Sequence, residues 1–80
     1  MQTTKDLAPF LAQVIEDRRK ARKMSMLTLA AVAGVDRTYI GKLSRNMRVP
    51  TVDTADRIAR ALDVPLSLLI KRAERLRDEK

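Results

Sequence analysis

Ser25-Met-Leu-Thr-Leu-Ala-Ala-Val-Ala-Gly-Val-Asp-Arg-Thr-Tyr-Ile-Gly-Lys-Leu-Ser44 is the stretch that decides the fold. Ser25 is a strong cap for a short helix, because its hydroxyl can accept from the first free amides. Leu29, Ala30 and Ala33 give that helix a buried side. Gly34 ends it, since glycine enters the left-handed region without strain. Only Val35 intervenes before Asp36, a second cap. The helix that follows turns Ile40 and Leu43 inward at i, i+3. Ala30 is small where the two helices cross, and Val35 and Ile40 fill the gap between them.

Two helices joined by a glycine-containing turn within about 20 residues form a helix-turn-helix motif. This geometry lifts the second helix clear of the body, so that its outer face can enter a major groove about 12 Å wide. That face, over residues 37–44, carries Arg37, Thr38, Gly41 and Lys42, with Arg45 just beyond. Arg37 and Lys42 can donate to guanine O6 and N7, and Thr38 can bond a base edge or touch a thymine methyl. Gly41 leaves a gap between Thr38 and Lys42 that permits close approach. The Tyr39 hydroxyl can reach a base edge or a phosphate. Ser25, Ser44, Arg45, Asn46 and Arg48 occupy the helix ends and the following loop, where phosphate contacts belong.

Outward from this core the pattern stays helical. Asp6 is placed to cap a first helix over about residues 7–22, with Pro9 tolerated in its opening turn and Phe10, Leu11, Val14 and Ile15 on one face. Its basic end, Asp17-Arg-Arg-Lys-Ala-Arg-Lys23, suits the negative pole of the helix dipole, and a run of this kind is either a solvated helix end or a phosphate contact. Met24 and Met26 read as core filler. Asn46 suits a left-handed turn. Pro50 forces an extended connection, and Thr51 or Asp53 caps a fourth helix over about 52–62 whose apolar positions are Val52, Ala55, Ile58, Ala59 and Leu62. After Asp63-Val-Pro65 a fifth helix, about 66–77, presents Leu66, Leu69, Ile70 and Ala73, flanked by Leu68 and Leu76. The tail from Arg77 is expected to fray. The reading is one all-α, five-helix domain spanning residues 1–80, without repeats or linkers.

Composition narrows the chemistry. With 17 Lys and Arg against 10 Asp and Glu, the 80 residues carry a net charge of +7, a field that draws polyanions. No cysteine or histidine is present, which removes the commonest nucleophile, general base and zinc ligands. Glu16, Asp17, Asp36, Asp53, Asp56 and Asp63 are scattered over caps and solvent faces, so an enzyme is not expected, nor any metal or cofactor. The basic residues are spread over several elements instead of one amphipathic face, which argues against a membrane surface. No apolar run approaches the roughly 20 residues that cross a bilayer, and the N-terminus lacks a signal-peptide core, so a cytoplasmic, nucleoid-associated protein is expected.

The chain resembles the phage-repressor-like Cro/C1 (XRE) helix-turn-helix proteins over about residues 11–70. Leu29-Ala30, Ala33-Gly34-Val35, Ile40, Pro50-Thr51, Ile58-Ala59, Ala61-Leu62, Val64 and Leu66 to Leu69 carry the likeness. Asp36-Arg37-Thr38-Tyr39-Ile40 is similar to the recognition helix of restriction-modification controller proteins. The resemblance implies a lambda-repressor-like domain, base reading by Arg37, Thr38 and Lys42, operator contact by Tyr39, and backbone contact by Arg45, Asn46 and Arg48. It also implies a homodimer on a palindromic double-stranded operator, joined through the C-terminal helices. Leu66, Leu69, Ile70 and Ala73 are the expected interface. Three positions depart from the family pattern. Met26 stands where glutamine usually binds phosphate, Ser44 where a glutamate usually pairs with the first-helix arginine, and Asn46 where glycine is usual. Arg19 is therefore expected to lack its partner. The alternative reading is an antitoxin, a protein-interaction module that also binds DNA and neutralises a partner toxin.

A single recognition helix reads only about 4 to 6 base pairs, too few to single out one promoter. Two copies on a twofold axis would cover half-sites roughly 34 Å apart.

Overall fold

The computed structural model describes residues 6–79. Five helices and no strand occur among them: α1 (Ala8–Ala21), α2 (Met26–Ala33), α3 (Arg37–Ser44), α4 (Val52–Ala61) and α5 (Leu66–Glu79). The tail through Glu79 is thus helical and not frayed.

The starts of α2, α3 and α4 are fixed by side-chain caps. Ser25 Oγ accepts from the Thr28 amide at 3.0 Å, Asp36 Oδ1 from that of Thr38 at 2.9 Å, and Thr51 Oγ1 from that of Thr54 at 3.1 Å. Asp6 does not cap α1. The helix begins instead from Leu7, whose carbonyl accepts from Phe10 and Leu11. Pro9 then stands in the first turn of the helix, where its missing amide leaves no intrahelical bond unmade.

The four ends that precede a connection share one geometry. A left-handed residue follows the helix, and the next amide reaches back five residues. Lys23, Gly34, Asn46 and Asp63 have φ of 55°, 73°, 61° and 61°. The reaching amides are Met24 to Arg19, Val35 to Ala30, Met47 to Lys42 and Val64 to Ala59, at 2.8–3.0 Å. Gly34 and Asn46 are residue types suited to this turn. Asp63 is likewise of a type that tolerates it, whereas Lys23 is not marked by type, and position sets it.

Ile15, Leu29, Ile40, Leu43, Ile58, Leu62 and Leu69 form the fully buried centre. Helix α1 packs along α5, while α2 rests on α3 and α4. Ala30 is 2% exposed at the α2–α3 crossing, and Val35, Met24 and Met26 are half-buried against the core. Val52 departs from its expected place. It lies in the first turn of α4 and is 75% exposed, beside the solvent-facing Met47 and Val49.

The expected interface on α5 also changes. Leu69 and Ala73 are 1% and 0% exposed within the single chain, because α5 lays that edge against α1. In the single chain they offer no surface to a partner. Leu66 and Ile70 are half-buried and keep part of their surface in solvent.

Candidate nucleic-acid interface

Helix α3 is anchored in the core by Ile40 and Leu43, at 1% and 2% exposure, with Tyr39 packed against its edge. Everything else on its eight residues is at least partly open. Arg37 and Thr38 are exposed in the first turn, and Lys42, one turn further on, is half-buried. Arg45, Asn46 and Arg48 are exposed beyond its end. The structure therefore brings the sequence-predicted reading residues and the loop cations to one side of the molecule.

Among the described residues, the cations of this side have no carboxylate within ion-pair distance. The salt bridges are Arg19–Glu16, Arg60–Asp56 and Arg77–Asp78, all away from α3. Arg37, Lys42, Arg45 and Arg48 thus hold free donors and uncompensated charge, the requirement for binding a polyanion.

Tyr39 is half-buried, and burial raises its hydroxyl pKa while the nearby Arg48 charge pulls the other way. The phenol is therefore a neutral donor at physiological pH, set beside a cation.

The two serines are less available than their positions suggest. Ser25 Oγ accepts from the Thr28 amide and donates to Thr28 Oγ1 at 3.0 Å. Ser44 Oγ donates to the Gly41 carbonyl at 2.9 Å. Each hydroxyl hydrogen is committed inside the chain. Of the residues the sequence places at phosphate, Arg45, Asn46 and Arg48 keep exposed side-chain donors.

Arg19 does not lack a partner. Its Nε and Nη2 bind the two Glu16 oxygens at 3.0 and 2.9 Å, and Nη1 donates to the Met24 carbonyl at 2.7 Å. The hydrogen bond to Glu16 raises its pKa further. A carboxylate three residues back on the same helix replaces the one absent at position 44. Arg22 donates to the Leu62 carbonyl at 2.6 Å, closing the C-terminus of α4. At least these two members of the basic α1 end serve the protein itself.

Sequence reasoning missed one feature of this side. Ser25, Met26 and Leu27 of the α2 start face Arg37, Thr38, Gly41 and Arg45 across a crevice. Leu27 is 60% exposed there. No apolar periodicity marks it, since it lies off the buried face of α2.

No group of acidic side chains that could hold a metal ion occurs among the described residues, and no described helix is long and apolar enough to cross a membrane. A second helix packed on the first by its inner side, with cations on its open outer side that meet no carboxylate among the described residues, defines the class: a helix-turn-helix domain suited to nucleic acid.

Comparison with known proteins agrees. A family model described as Helix-turn-helix matches residues 15–69. The control protein C.SmaI of Serratia marcescens is 33% identical over 67 residues, 84% of this chain and 80% of that protein. The HTH-type transcriptional regulator SutR of Escherichia coli K12 is 38% identical over 65 residues, 81% of this chain, which spans only 36% of SutR's length. The restriction-modification controller protein C.Esp1396I superimposes with a TM-score of 0.81 at 27% identity, over 89% of this chain and 91% of its own. Structures of C.Esp1396I include one bound to a 25-base-pair operator site and a tetramer on its natural 35-base-pair operator. The chain belongs to the Cro/C1-type helix-turn-helix family.

Proposed function

We propose that this protein is a sequence-specific, double-stranded-DNA-binding transcriptional regulator that acts as a homodimer on a palindromic operator, in the manner of a restriction-modification controller protein. The observation that carries the reading is the outer side of α3, where Arg37, Lys42 and Arg45 stand beside Thr38 with no acidic partner. Arg37, Thr38 and Lys42 read base edges, with Tyr39 adding a contact through its neutral hydroxyl. Arg45, Asn46 and Arg48 bind phosphate and fix the register. Likeness to C.SmaI and to the operator-bound C.Esp1396I supports the controller reading. The antitoxin reading gains no such support. The protein acts by binding and not by catalysis, and it works in the cytoplasm where the operator is.

Leu66 and Ile70 are the interface residues that remain on α5, and symmetry gives the second half-site. Coupled dimerisation and DNA binding make occupancy of the operator depend on the protein's concentration.

In vitro selection from random duplex DNA tests the reading. A palindrome should be enriched. Failure to enrich any sequence would contradict specific binding, and a single non-symmetric half-site would contradict the dimer.

A further inference from the structure

Gly41 occupies the middle of α3, where glycine costs about 1 kcal/mol relative to alanine. Nothing inside the folded chain asks for it. Its backbone is not among the left-handed positions, where the glycine is Gly34. A methyl group built on Gly41 would meet only Arg45 Nη1, at 3.9 Å, an ordinary contact with the end of a flexible side chain. The space over Gly41 is open, and it is the floor of the crevice between α2 and α3.

The wall of the same crevice carries Leu27, a leucine left 60% exposed, with Met26 beside it. A lone exposed leucine is ordinary. Leu27 counts because it shares a recess with a glycine that weakens its own helix. Ser25, Thr38, Arg37 and Arg45 line it too. The recess thus sets an exposed leucine and a bare glycine among hydroxyl and cationic side chains. In the major groove the thymine 5-methyl is the apolar group on display, and it is flanked by phosphate strands.

We infer that the crevice over Gly41 receives a thymine methyl of the bound duplex, which packs on Leu27, and that Gly41 is a specificity-determining residue. The inference rests on the DNA-binding reading above. Arg37 and Lys42 donate to polar base edges and cannot select thymine by its methyl. The empty position between Thr38 and Lys42 can, because a side chain there would occupy the volume the methyl needs.

The test uses the full chain and the operator obtained by selection. Gly41→Ala should melt a few degrees higher than the parent, since alanine is the better helix former. It should nonetheless bind that operator about tenfold more weakly, because the added methyl and the thymine methyl compete for one space. Each thymine is then replaced in turn by deoxyuridine, which deletes only the methyl. In the parent, one symmetric pair of replacements should weaken binding about ten- to twentyfold, the worth of two buried methyls, one in each half-site. In Gly41→Ala the same replacements should strengthen binding. Leu27→Ser, a change at an exposed side chain, should remove the parent's response at that pair. Equal binding by Gly41→Ala and parent would overturn the inference alone. So would a deoxyuridine scan that is the same for both. A parent chain that selects no sequence would overturn the DNA-binding reading and this inference with it.

Discussion

The end of α1 and the outer side of α3 are both rich in cations, and the protein uses them in opposite ways. At the end of α1, Arg19 is tied to both Glu16 oxygens and to the Met24 carbonyl, and Arg22 reaches across to the Leu62 carbonyl. Around α3, Arg37, Lys42, Arg45 and Arg48 meet no carboxylate among the described residues. A guanidinium that satisfies helix-end carbonyls adds little to a polyanion site, whereas one with all its donors in water is ready to take a phosphate or a base edge. The net charge of +7 is the sum of both uses and separates neither. The partner list does.

The contrast can be broken from either side. The largest effect is expected at Arg19. Its side chain is only 11% exposed, and Arg19→Ala would strand a Glu16 carboxylate that is itself 13% exposed, together with the Met24 carbonyl. Chemical denaturation should report a loss of about 2 kcal/mol. Operator affinity of the folded fraction should stay within about twofold of the parent. A large loss of affinity without loss of stability would move Arg19 into the interface. Arg22→Ala should act in the same sense but more weakly, by about 1 kcal/mol, since only one hydrogen bond to Leu62 is removed and water can replace it. If Arg22→Ala instead flattened the salt dependence of binding, Arg22 would be a phosphate contact.

Much of the fold was legible because it is written in caps and periodicity. Ser25, Asp36 and Thr51 cap the helices that their types announce, and Ile40, Leu43, Ile58 and Leu62 lie inward as their spacing requires. Two kinds of feature were not legible. Residue type hides Lys23 as a left-handed residue, while Asp63 is of a type that allows the turn but does not announce it. The better signal is the apolar residue that follows each turn, Met24, Val35, Met47 and Val64, whose amide closes the motif. Periodicity, in turn, says which residues share a face but not what covers it. It grouped Leu66, Leu69, Ile70 and Ala73 correctly as one stripe. It could not reveal that α1 already covers Leu69 and Ala73.

The candidate site divides along the same line. Arg37, Thr38 and Lys42 stand out from spacing alone, because an amphipathic eight-residue helix with two buried anchors leaves few other places for them. The ties that hold Ser25 and Ser44 inside the chain depend on local hydroxyl geometry. The exposed Leu27 depends on how α2 sits against α3. Neither has a signature in residue order.

Helix α3 is proposed to read sequence and not merely to attract charge. Binding of Arg37→Ala to the selected operator and to its full set of single-base variants tests it most directly. Arg37→Ala should lose about 1 to 3 kcal/mol on the operator, with base preference relaxed at one symmetric pair of positions and melting temperature unchanged. Equal weakening on every sequence would make Arg37 a phosphate contact and contradict the account.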